Sequence, residues 1–162
     1  MMIDYTYFDN ILTRIPGINT CGRDGEPTEQ ARQLRADLDT LILTHAPRFL
    51  SALLGAQWGA LIERDDVWNV IVDPEAHTSP LAKYIWCRWA QLQATRTTAA
   101  GEKVKQGEFS NTANASYRIA EVWNIMVDEC VDIVAALSRL DGVATEPNLS
   151  AEIFEKQNVF GV

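Results

Sequence analysis

The chain is poor in the residues that most enzymes work with. It has two histidines, His45 and His77, in neither an HxxxH nor an HExxH spacing, which excludes the common helical zinc sites. Its three cysteines, Cys21, Cys87 and Cys130, are odd in number, far apart and form no CxxC pair. Cys87 and Cys130 lie among apolar residues and read as buried free thiols, which suits a reducing compartment. The glycines are scattered, without the clustering of a phosphate-cradling loop. No serine or cysteine stands in a nucleophile motif.

Positive charge is also scarce. There are 14 basic against 22 acidic residues, giving a net charge of -8, and no lysine- or arginine-rich run. Such a surface repels a phosphate backbone. No stretch approaches eighteen apolar residues, so no membrane helix is expected. The start, MMIDYTYFDN, lacks the basic and apolar regions of a secretory signal. GAQWG fits a GxxxG pattern, but its surroundings are too short and too charged for a bilayer. It reads as close packing of two helices, or as chance. ERDD (Glu63 to Asp66) lacks the glycine and spaced oxygens of a calcium loop and reads as a solvated turn. The expectation is a protein that is not an enzyme and holds no cofactor or metal.

What is present is a helical core in 162 residues, 47% of them hydrophobic, enough for one domain. Residues 1–27 read as a short strand or helix turn followed by a loop broken by Pro16, Gly17, Gly22, Gly25 and Pro27. A first helix starts near Thr28, with Ala31, Leu34, Leu38, Leu41 and Ile42 at helical spacing. Pro47 is expected to end or kink it. A second helix is expected from there, with Thr44 as a candidate cap and Phe49, Leu50, Leu53, Leu54, Trp58, Leu61 and Ile62 on its face. VWNVIV reads as a brief strand or a helix end. Ser79 and Pro80 make a good helix start, followed by Leu81, Ile85, Trp86, Trp89 and Leu92. The longest helix is expected over about 112–140, with a stripe through Ala113, Tyr117, Ala120, Trp123, Val127, Cys130, Val134 and Leu137, and Gly142 following as its stop. The fold class is all-α: four to five helices in a bundle, with a long polar inter-helix loop, at most a small hairpin, and an extended C-terminal tail. The segments are 1–27, a helical domain 28–141, and a tail 142–162.

Two features do not serve a core. The stretch TRTTAAGEKVKQGEFSNTANAS, Thr95 to Ser116, is far longer than most helix connections. Five tryptophans exceed the needs of a small bundle. Core packing accounts for at least two. Trp68 falls between helices, and tryptophan is favoured at protein contacts.

FLSALLGAQWGALIE (49–63), SPLAKYIWCRWAQLQAT (79–95), the polar GEKVKQGEFSNTANAS (101–116) and YRIAEVWNIMVDECVDIV (117–134) occur in that order. This set resembles the head–tail connector proteins of tailed bacteriophages, and looks closest to ring or adaptor proteins of phages of gut Bacteroidales, including crAss-like phages. The resemblance covers roughly residues 28 to 140. It implies a helical subunit of a ring, usually about twelve copies, beneath the portal. Such a ring extends the DNA channel, docks the next ring or tail protein, and catalyses nothing. DNA would pass without specific binding. The virion's head–tail junction is the implied location, after synthesis in the bacterial cytoplasm. On that reading Lys103 and Lys105 meet an acidic surface and Phe109 is an apolar anchor; the bland alternative is a loop with no partner. Phe154 and Phe160 dock on a partner or fold back on their own bundle. The competing reading of the whole chain is a small cytoplasmic helical binding or regulatory module. A weaker third is an enzyme with an acidic site.

Overall fold

A computed structural model describes residues 3–98, 101–104 and 109–158, with the side chains of 94–115 outside the described set. Among the described residues there are five α-helices: α1 (Glu29–Leu54), α2 (Trp58–Leu61), α3 (Asp65–Ile71), α4 (Pro80–Ala94) and α5 (Phe109–Leu137). Two short strands, β1 (Thr95–Thr98) and β2 (Gly101–Val104), stand between α4 and α5. The all-α expectation holds, and the small hairpin it allowed is present between α4 and α5.

The core lies where α1, α4 and α5 meet. α4 and α5 run antiparallel, because Lys83 meets Glu129 while Cys87 meets Ile119. Phe49 and Leu50 from α1, Tyr84 and Ile85 from α4, and Met126 and Leu137 from α5 are fully buried there. Each of these side chains except Tyr84, whose buried hydroxyl has no hydrogen-bond partner among the described residues, contributes about 1.5–3 kcal/mol of transfer free energy.

Pro47 does not break the first helix; α1 is one element of 26 residues with Pro47 inside it. Proline costs a helix interior about 3 kcal/mol. The buried series Leu38, Ile42, Ala46, Phe49, Leu50, Leu53 and Leu54 continues straight across it, and that burial outweighs the cost. The carbonyl that proline strands belongs to Leu43, which is exposed and open to water. Thr44 is no cap: its hydroxyl donates back to the Thr40 carbonyl at 2.7 Å. The true start is capped by Thr28, whose Oγ1 accepts from the Ala31 amide at 3.2 Å.

α1 stops at Gly55, at φ +86. A Cβ there would sit 3.1 Å from both the carbonyl oxygen and the Cβ of Glu146. The returning chain passes that close because the Asn148 amide donates to the Ala52 carbonyl at 2.8 Å, satisfying a carbonyl that the helix end would leave open. α2 is therefore separate from α1. VWNVIV falls within α3 and the residue after it: Val67 and Ile71, four apart, are both buried. α4 begins as its sequence says, with Ser79 Oγ accepting from the Ala82 amide at 2.9 Å. α5 begins and ends three residues earlier than expected, at Phe109 and Leu137.

The N-terminal segment is part of the same body. Ile3, Tyr7, Phe8, Ile15 and Ile18 belong to the core. Trp86 Nε1 donates to the Arg14 carbonyl at 3.3 Å, and Arg118 donates to the Ile11 carbonyl at 2.9 Å.

Candidate interaction surface

The polar connection between α4 and α5 folds, at the backbone level, into an antiparallel pair. Thr95 faces Val104, Arg96 faces Lys103, Thr97 faces Glu102 and Thr98 faces Gly101. At the backbone level β1 continues directly from α4. A lone two-stranded hairpin is marginal in water, and like charges directly opposite one another weaken it further. Arg96 opposite Lys103 is such a pair. Lys103 thus lies on β2 and Phe109 opens α5; their side chains, and Lys105 and Phe160 altogether, lie outside the described residues.

On the helices that flank the hairpin, Leu92 of α4 and Tyr117 of α5 are both exposed. Large exposed apolar side chains are ordinary when they occur singly, but these two lie on the helices that enter and leave the hairpin. Sequence patterning assigned Leu92 and Tyr117 to core stripes; only burial reveals them as surface.

At least two tryptophans pack in the core as expected, and Trp68, expected between helices, lies on α3. Trp86 and Trp123 are buried. Trp58, Trp68 and Trp89 are half-buried and packed against the core. Trp68 keeps a partly open face on α3 and remains a candidate contact residue.

Phe154 is not a free anchor. It is 6% exposed and sits edge-on to Phe49, ring centroids 6.0 Å apart. The tail around it is bound to α5: Trp123 Nε1 donates to the Glu155 carbonyl at 2.9 Å. Asn124 pairs with the Gln157 backbone in both directions at 2.8 Å. Lys156 bridges to Asp128 at 2.7 Å. Of the two readings of this segment, folding back is what residues 143–158 do, and the extended tail is corrected accordingly.

His77, His45, Asp66 and the two buried cysteines each make contacts within the fold. Thr6 Oγ1 donates to Asp4 at 2.5 Å and meets His77 Nδ1 at 2.9 Å. His77, at φ +48, also stacks edge-on to Tyr7. This chain ties the N-terminal segment to the loop before α4. His45 packs against Tyr84; burial, then the Arg88 and Arg48 charges, lower its pKa. Asp66 pairs with Arg64 at 2.6 Å, which holds its carboxyl below the usual range. Arg64 also donates to the Asp141 and Gly142 carbonyls. Arg64 thus clamps the start of α3 to the turn that follows α5. Burial pushes the Cys87 thiol up to about 12 and raises Cys130 as well, so neither is a thiolate at neutral pH. Among the described residues, no group of three or more His, Cys, Asp or Glu is placed to hold a metal. No described helix is long and apolar enough to cross a membrane.

One charged group was missed altogether. Lys83 is 2% exposed and bonds Glu129 at 2.8 Å and Thr78 Oγ1 at 3.1 Å. A buried lysine keeps its charge only with such partners. Compared with protein-family models, characterised proteins and solved structures, the chain has no match.

Proposed function

We propose that this chain is a virion structural protein, a subunit of a connector ring at the head–tail junction of a tailed phage. It extends the portal channel and offers a docking surface to the next ring or tail protein. Its partners are further copies of itself, about twelve in a closed ring, the portal protein, and the adjacent ring or tail component. DNA passes through the lumen unrecognised, and a chain of net charge -8 does not hold it. The sequence resemblance supplies the specific identity. The observation that carries the assembly role is the hairpin: a marginal element with Arg96 and Lys103 in register, between helices that expose Leu92 and Tyr117. The outer edges of such a two-stranded pair carry backbone donors and acceptors that a second surface can use.

The test is assembly. Mass photometry and negative-stain imaging of the purified protein, alone and with its portal, are expected to give closed rings. Deleting residues 101–109 is expected to leave a folded subunit that no longer assembles or joins its neighbours. Rings unchanged by that deletion reject the contact role of the hairpin. A stable monomer or dimer that ignores the portal favours the small binding module instead.

A further inference from the structure

Among the described residues, two buried side-chain atoms have no hydrogen-bond partner: the hydroxyl of Tyr84 and Nε of Arg88. Native interiors hold few such groups, and each calls for a reason. These two stand one turn apart on α4 and share a corner of the bundle. The Arg88 guanidinium carbon lies 5.2 Å from the Tyr84 ring centroid and 5.5 Å from that of Trp123. From α1, His45 meets the Tyr84 ring edge-on, with centroids 6.3 Å apart. Tyr84 is fully buried, while Arg88 and His45 are half-buried.

The corner is positive in a chain of net charge -8. Arg88 forms no ion pair among the described residues. Arg48, one turn from His45 on α1, reaches an exposed partner, Glu152, at 3.8 Å. Burial, then the Arg88 and Arg48 charges, already disfavour a proton on His45. An anion is what this corner is short of.

The free donors say which kind. Arg88 Nη1 is occupied by Gln91 Oε1 at 3.1 Å, so Nε and Nη2 form the remaining edge of the fork. Two parallel N–H groups on one guanidinium edge match the two oxygens of a carboxylate, and Tyr84 adds an O–H donor. That set suits a planar monoanion better than a phosphate, which carries more oxygens and more charge. As the chain stands, both orphan atoms are closed to solvent. An anion reaches them when the Arg88 side chain swings outward, at the cost of the Gln91 bond and of its stacking on the two rings.

We infer that His45, Tyr84 and Arg88 form a carboxylate-binding site at the seam of α1 and α4, with the Arg88 side chain as its gate. The carboxylate is either free in solution or carried on an acidic side chain of another copy. The inference does not depend on the ring reading.

Acetate is the probe and His45 the reporter. The ring signals of His45 are followed by NMR while acetate replaces chloride at fixed ionic strength. They are expected to shift and saturate, and the imidazole to titrate at higher pH once the anion offsets the arginine charges. His77, held by Thr6 and Tyr7, is expected to stay unchanged. Arg88→Lys keeps the charge and loses the fork; Tyr84→Phe keeps the ring and loses the hydroxyl. Each is expected to fold and to weaken acetate binding by about tenfold. Without acetate, Tyr84→Phe is expected to be at least as stable to urea as the wild type, since it removes an unpaired buried hydroxyl. A hydroxyl satisfied by a trapped water would instead make Tyr84→Phe less stable and leave acetate without effect, and that result overturns the site. A shift that chloride or inorganic phosphate reproduces equally overturns it too. Dilution separates the two sources. An acetate affinity that falls as the protein is concentrated assigns the site to an acidic side chain of another copy; a constant affinity assigns it to a free carboxylate. A protein that forms rings with its portal but ignores acetate at every dilution loses this site and keeps the ring reading.

Discussion

The tail and the hairpin look alike in the sequence and behave differently in the fold. Both are polar stretches with a few apolar residues, and both read as arms. The tail carries Ile153 and Phe154, which bury almost completely, and its backbone is tied down by Trp123 and Asn124. The hairpin has, among the described contacts, its own backbone pairing. A segment joins a core when its apolar groups arrive in register with a vacancy and its backbone polar groups find partners there. Polarity alone does not decide it.

The comparison can be pressed from both sides. The largest effect is expected at Phe154. Phe154→Ala opens a cavity against Phe49 and should cost about 3–5 kcal/mol, a fall in Tm of roughly 10 °C for a domain of this size. A change under about 1 kcal/mol would move the tail back among the arms. Asn124→Ala removes both bonds to Gln157, with an expected cost of about 1–3 kcal/mol by urea denaturation. Hydrogen exchange should then quicken at residues near 157 before it does in α5. The smallest stability effect is expected from the hairpin. The 101–109 deletion should shift the subunit's own stability by less than about 1 kcal/mol, because a lone hairpin is marginal to begin with. A large loss there would make the hairpin part of the core and remove the contrast.

The fold was readable where local chemistry and burial agree. Ser79 and Pro80 announce α4, the apolar stripe of α5 announces a long helix, and the polar connection between them is plain. Pro47 misled because a local penalty was weighed without the burial on either side of it. VWNVIV stood open between strand and helix because its β-branched residues pull one way. The burial of Val67 and Ile71 together decides it, and Asp65 and Asp66 in the first turn suit a helix start. The contact candidates were legible only in part. The hairpin's position was visible, and its register was not. Lys83 was invisible because its partner Glu129 lies 46 residues away, beyond any spacing rule. Leu92 and Tyr117 carried a core-like signal, since periodicity shows that a face is apolar and not whether anything covers it.

The crossing at Gly55 has a bearing on how the chain is made. The last turn of α1 is finished by Asn148, supplied from almost a hundred residues downstream. While the chain is still being synthesised, that helix end has only solvent to bond, and Phe49 lacks its edge-on neighbour Phe154. The bundle is therefore sealed late, when nearly all of the described chain has left the ribosome. Subunits truncated before that point should be open and sticky rather than merely shorter.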